Sequence, residues 1–231
     1  RSLSMLVHAG TMTRRMRRLV VLVLGAAAAV CPSAQAQEPP PRLPFVVVDL
    51  HGAVPSFSDD PRLAASRGLN QAQLPGLGVG GAIGAHVYPF RWRAVTFGIG
   101  GEITVVRAHR TPDSSDQTTS LAPVTERFTS IAPQVSLNFG TGDGWSYLSG
   151  GLSTSTWSVV PDGASSLPGD DEALKTINYG GGARWFMKSH LAFSFDVRFY
   201  ATNPGTSNGS PSGTGSPRTT MVVVSAGVSV K

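Results

Sequence analysis

From Phe45 onward the apolar residues recur at every second position, in runs longer than an ordinary soluble sheet uses. In Phe45 to Val54, Val46, Val48, Leu50 and Val54 share one face, and Val47, Asp49 and His51 the other. From Leu77 to Pro89, Leu77, Val79, Ile83, Ala85 and Val87 oppose Gly78, Gly80, Ala82, Gly84 and His86. From Arg93 to Arg107, Val95, Phe97, Ile99, Ile103 and Val105 oppose Thr96, Gly98, Gly100, Glu102 and Thr104. Ile131, Val135, Leu137 and Phe139 alternate with Gln134, Ser136 and Asn138. Residues 145–159 are noisier, with Trp145, Tyr147 and Trp157 in one phase and Leu148 and Leu152 in the other. The pattern is clean again in 174–187, 191–200 and 222–230. A period of two is the signature of a half-buried strand, and it predicts eight of them. Globular strands average about 5–6 residues, whereas a tilted strand that crosses a bilayer needs about 9–11. Most of these runs meet the second requirement.

The connections alternate in length. Long polar ones occupy 55–76, 108–122, 160–173 and 201–218, and short ones fall at Pro89 to Trp92, Gly140 to Gly144 and Lys188 to His190. Membrane barrels segregate short turns to one rim and long loops to the other. The fold class predicted is therefore all-β: an eight-stranded antiparallel up-and-down transmembrane β-barrel. In lipid the backbone must be paired within the protein, so the sheet must close and turn its apolar face outward. The inward set is then Asp49, His51, His86, Glu102, Arg184, Asp196 and Arg198, among small and polar residues. An eight-stranded barrel is just wide enough for side chains to fill. Arg184 and Arg198 are accordingly expected to pair with Asp196, Glu102 or Asp49, because buried charges persist only when paired. Among Trp92, Trp145, Trp157, Tyr179, Trp185 and Tyr200, those facing outward would suit interfacial aromatic girdles.

Ahead of the strands, Arg14 to Arg18, the apolar run Leu19 to Val30 and Ala34-Gln35-Ala36 read as a secretory signal peptide. The domain plan is a leader over 1–36, a proline-rich segment over 37–44 and the barrel over 45–231. The formal charge of +5 comes from that leader. Without Arg1, Arg14, Arg15, Arg17 and Arg18 the bases and acids balance, and no basic cluster for a nucleic acid remains. The single cysteine, Cys31, lies in the leader, so neither a disulfide nor thiol chemistry is expected of the mature chain.

Thr176 to Tyr200 resembles the penultimate hairpin of the small outer-membrane β-barrel domain family, the OmpA-like and OmpW-like porin superfamily. There, a glycine-rich strand ending in Arg-aromatic precedes a tight turn and a strand with Asp-x-Arg; here these are Gly180-Gly181-Gly182-Ala183-Arg184-Trp185 and Asp196-Val197-Arg198. The resemblance implies an integral outer-membrane barrel in contact with lipid over roughly 45–231, and it transfers no active site. It also implies a terminal aromatic residue, where this chain has Val228-Ser229-Val230-Lys231. Pro133 within the fourth strand is a second departure, since proline withholds a ladder hydrogen bond.

Other chemistry finds little footing. Gly76 to Gly81 fits G-x-G-x-x-G, but period two continues after it and no helix is expected to receive a phosphate. His51, His86, His109 and His190 fit no metal-ligand spacing, and no serine stands in a motif with a histidine. The chain is thus expected to be no enzyme and to hold no cofactor or metal. Its role would be structural or surface-interacting, through long loops that meet an unknown extracellular or envelope partner. A narrow porin-like channel is the alternative. A lipocalin-type soluble binder would require the reverse arrangement of faces, apolar inside and charged outside.

Overall fold

A computed structural model describes residues 42–112, 121–206, 213 and 215–231. The leader, its cleavage site, Cys31 and most of the proline-rich segment lie outside the described residues. Eight strands follow one another in chain order: β1 (Val46–Ser56), β2 (Val79–Trp92), β3 (Val95–Arg110), β4 (Val124–Thr141), β5 (Gly144–Pro161), β6 (Leu174–Phe186), β7 (Leu191–Thr202) and β8 (Thr219–Val230). Each pairs antiparallel with the next, and β1 pairs with β8, so the sheet closes. A helix, α1 (Pro61–Ser66), interrupts the first long loop. Closure leaves no exposed edge.

The faces divide by parity. Val46, Val48, Leu50 and Val54 of β1 are exposed on the outer wall, while Val47, Asp49 and His51 are buried. The same split runs round the sheet, with Ile99, Ile103 and Val105 of β3, Ile131 and Val135 of β4, and Ile177 and Tyr179 of β6 among the exposed apolar residues. Every carboxylate borne by a strand (Asp49, Glu102, Glu126 and Asp196) stands in the inward phase.

The interior is layered, which the alternation alone does not predict. Near the short turns, Leu43, Val47, Tyr88, Trp145 and Tyr147 form an apolar plug against Phe186. A polar band occupies the middle. Toward the long loops a second apolar cluster joins Ala53, Val106, Phe128, Trp157, Tyr200 and Met221 to Phe57, Leu63, Ala64 and Leu74 of the first loop. Trp145, Trp157 and Tyr200 are therefore packed inside, whereas Trp92, Tyr179 and Trp185 face outward.

One short connection differs from expectation. The residues 89–92, read as a turn, belong to β2: Trp92 pairs with Val95 and Phe90 with Phe97, past an irregularity between Val87 and Phe90. Pro89 falls within that irregularity, where a bulge tolerates the missing N–H, and the chain reverses at Arg93 with φ 55°. Strand β4 begins at Val124, directly after the connection read over 108–122, and carries the alternation seen from Ile131 back toward that loop.

Pro133 is accommodated by position. It pairs with Gly101 on the β3 side, while on the β5 side the ladder lapses between Ile131↔Thr154 and Val135↔Gly150 and resumes in register. Its missing donor thus faces a gap, and a Cβ at Gly151 would overlap the Pro133 carbonyl. Gly151→Ala is expected to cost about 1–3 kcal/mol through overpacking. Urea titration of the folded fraction checks this, and an unchanged midpoint contradicts it.

Candidate functional site

The inward positions of five strands bring charged side chains into the polar band. On β1, Asp49 and His51 are two residues apart and so point the same way. Arg184 from β6 reaches Asp49 across the lumen, with Nε 2.9 Å from Oδ1 and Nη2 2.6 Å from Oδ2. His86 Nδ1 lies 3.1 Å from Asp49 Oδ2, and Ser229 Oγ donates to Asp49 Oδ1. The Arg184 guanidinium also lies 4.3 Å from the centroid of the Tyr147 ring. One carboxylate thus gathers four donors, two of them a bidentate fork, the geometry in which a charge pair is strongest. A Cβ at Gly100 would overlap the His86 ring, so glycine there makes room for the imidazole.

A second group lies toward the loops. Arg198 Nη2 is 3.1 Å from Asp196 Oδ2 and Nε is 3.5 Å from Glu102 Oε1. The same guanidinium donates to Ser149 Oγ at 3.0 Å and to Asn178 Oδ1 at 3.3 Å. Tyr147 donates to Asp196 at 2.8 Å and Tyr200 to Glu102 at 3.1 Å. Asp196 and Arg198 face Gly182 and Gly180 across the β6–β7 ladder, and a Cβ at either glycine would overlap the β7 backbone. The glycine run and the Asp-x-Arg of this hairpin are therefore two halves of one packing solution.

His51 joins neither charge cluster by a hydrogen bond; its Nε2 lies 2.7 Å from Ser194 Oγ. That is the spacing of a base and a nucleophile. Both residues are buried, however, and among the described residues no carboxylate is hydrogen-bonded to the ring to orient it. The pair reads as a satisfied buried contact. Among the described residues no three His, Cys, Asp or Glu side chains could hold a metal ion. Gly76 to Gly81 leads into β2, not a helix.

The loop end has its own architecture. Pro61 stands at the first turn of α1 and Asp60 caps it, accepting from the Arg62 N–H at 2.8 Å. Hydrogen bonds from the Arg62 side chain and backbone hold the Asp60 carboxyl below its ordinary range. The helix lays Leu63 and Ala64 onto the apolar cluster in the barrel mouth, where Phe57 meets Trp157 edge-on at 6.0 Å. Buried Arg67 and Asp170 form an ion pair at 3.1 Å that fastens this loop to the β5–β6 connection. Arg67 also donates to Gly169 O, and Asp170 accepts from the Val159 and Leu167 N–H groups. Gln73 donates to Ala122 O and Arg110 to Leu74 O, tying the same loop to the β3–β4 side. Beneath it, Trp157 Nε1 donates to Glu126 Oε1 at 2.6 Å, while Glu126 Oε2 has no hydrogen-bond partner among the described residues.

Sequence reasoning did not single out Glu126, Arg67, Asp170 or Ser194. The signal for Glu126 was present, since it shares the inward phase of Phe128 and Ser130. Arg67 and Asp170 lie in loops, where no periodicity marks burial.

No family model and no curated protein matches the chain. Among solved structures, Neisserial surface protein A is similar at 17% identity with a TM-score of 0.46, covering 80% of this chain and 95% of its own. Ail, the attachment invasion locus protein of Yersinia pestis, is similar at 9% identity and a TM-score of 0.44, with the same coverages. Ail in complex with the heparin analogue sucrose octasulfate gives 9% and 0.45, again over 80% and 95%.

Proposed function

We propose that this chain is an integral outer-membrane barrel whose lumen is sealed and whose long-loop end serves a structural or surface-interaction role. The outer wall carries the argument. From Val222 to Val230 on β8, Val46 to Val54 on β1 and Val95 to Val105 on β3, outward side chains are apolar or glycine, and none of the strand carboxylates interrupts them. Such a belt matches the ~9–11 residues a tilted strand needs to cross a bilayer, and in water it would exceed any patch a soluble monomer exposes. A lipocalin-type binder needs an apolar lumen under a charged wall, the reverse of what surrounds Asp49 and Arg184. Membership of the OmpA-like and OmpW-like superfamily rests on the Thr176 to Tyr200 hairpin, and export on the leader read over 1–36.

A channel is disfavoured by the lumen's contents. Side chains meet across its full width, β1 to β6 through Asp49 and Arg184 and β3 to β7 through Thr104 and Tyr200, with apolar layers above and below. The expected result is an outer-membrane fraction whose gel mobility shifts on boiling and which gives no steady conductance in planar bilayers. A soluble periplasmic protein without a shift would sink the membrane reading, and stepwise conductance would sink the sealed lumen. The surface on offer to a partner or envelope component is the exposed side of the fastened first loop, including Asp59, Arg62 and Gln71.

A further inference from the structure

The outer wall is not uniform along its circumference. On β3 and β4, Arg107 and Arg127 face each other directly across the ladder. Both are exposed, and among the described residues neither makes a hydrogen bond or an ion pair. Like charges set opposite each other weaken a sheet, and an anion between them would turn that repulsion into attraction. Asp162, just past the end of β5, engages His109 at 3.9 Å and Thr125 at 3.3 Å.

The height of the pair identifies the anion. Two rows below it on the same strands, Ile103 faces Ile131, both exposed. Apolar belt therefore gives way to bare guanidinium within a few residues, at the level where lipid headgroups sit. One row further down, Ala85, Gly101 and Pro133 align across three strands. Their small side chains leave an apolar trough of about 550 Å³ on the outer wall, edged by Ile83, Ile103 and Ile131. From Arg107 to Gly101 is about 20 Å along the strand at ~3.3 Å per residue. At a ~35–45° tilt that is about 15 Å of depth, half of a ~30 Å hydrocarbon core. An acyl chain hanging from a headgroup on the arginines would end in the trough.

We propose that the β2–β4 face holds one lipid of the leaflet on the long-loop side, its phosphate clamped between Arg107 and Arg127 and an acyl chain lying in the Ala85–Gly101–Pro133 trough. Planar guanidinium forks suit phosphate oxygens better than any other side chain. The inference rests on the membrane reading above.

The test uses the full chain refolded into phosphocholine vesicles doped with either diphosphoryl lipid A or its dephosphorylated counterpart. The barrel is extracted into zwitterionic detergent, and co-purifying lipid is measured by mass spectrometry. Diphosphoryl lipid is expected to stay with the barrel and the dephosphorylated lipid to wash away. Arg107→Gln with Arg127→Gln should weaken retention by about tenfold or more, the loss of two charge-assisted contacts. Gly101→Leu, where a Cβ meets nothing closer than Ala132 O at 3.6 Å, should fill the trough and weaken retention with the arginines intact. Lys175→Gln, on the far wall, should not. Equal retention of both lipids, or retention unmoved by the double substitution, overturns the proposal. So does a wild-type barrel that binds heparin but retains no lipid, which would assign the face to a soluble polyanion. Heat-modifiability is read in parallel. A chain that inserts and retains no lipid defeats this inference alone; a chain that never inserts defeats the membrane reading and the lipid site together.

Discussion

Asp49→Ala is expected to destabilise the barrel by about 3–5 kcal/mol, the cost of leaving one member of a buried ion pair without its partner. Arg184 would keep its place beside the Tyr147 ring but lose both charged hydrogen bonds, and His86 and Ser229 would lose their shared acceptor. The control separates pairing from packing. Asp49→Ala combined with Arg184→Met removes both charges, and such replacement is often close to neutral. The double variant should therefore recover much of the loss, with the coupling read from the mutant cycle. The measurement is the urea midpoint of the heat-modifiable band for the four proteins. A single variant as stable as the wild type would show that the lumen tolerates an unpaired guanidinium.

The second large effect belongs to the loop end. Arg67→Ala removes one half of the buried pair with Asp170, and the stranded carboxylate should loosen the first loop by a similar about 3–5 kcal/mol. When opening is fast relative to cleavage, proteolysis follows the open population. Cleavage between residues 57 and 78 should then accelerate by at least about a hundredfold, given a decade per 1.4 kcal/mol. The barrel itself should keep its urea midpoint, since its strands hold their ladders without that loop. Cleavage at the wild-type rate would mean that the apolar contacts of Phe57, Leu63 and Leu74 hold the loop unaided.

The strands and their facing were legible because barrel geometry imposes period two on any sequence that adopts it. Residues 89–92 were misread because Pro89 and the irregularity beside it look like a turn; the long-loop ends of β4 and β5 were obscured for another reason. In the part of the barrel that rises above the belt, the identity of the faces inverts. Along β4 the outward positions are apolar from Phe139 up to Ile131, then become Thr129, Arg127 and Thr125, while Val124 and Phe128 turn inward. Along β5 Leu148 and Leu152 are outward, but Trp157 and Val159 are inward. Along these two strands the parity holds; on the membrane reading, it is the surroundings outside that change from lipid to water. A reader who equates apolar with outward loses β4 before Ile131 and sees noise in β5.

Within the lumen, the inward phase placed seven charged and polar residues on one side without saying which would meet. Arg184 and Asp49 are 135 residues apart, and Ser229 and Asp49 are 180 apart. Only the curvature of the closed sheet brings them together. Arg67 and Asp170 were illegible for a different reason: their burial depends on a loop folding back into the mouth, and loop paths carry no period.

The seam between β1 and β8 also bears on how the molecule is made. Seven of the eight strand pairings join neighbours in the chain, and the eighth joins its two ends. Asp49 sits beside that seam; His86 comes with β2, but Arg184 arrives only with β6 and Ser229 with β8. On the membrane reading, a sheet that lacks its later strands would offer hydrocarbon an incompletely paired carboxylate on its first strand, so insertion that runs ahead of those strands is disfavoured. On the membrane reading, ring closure completes the set of hydrogen bonds on that charge, which disfavours intermediates that linger in the bilayer with an open edge.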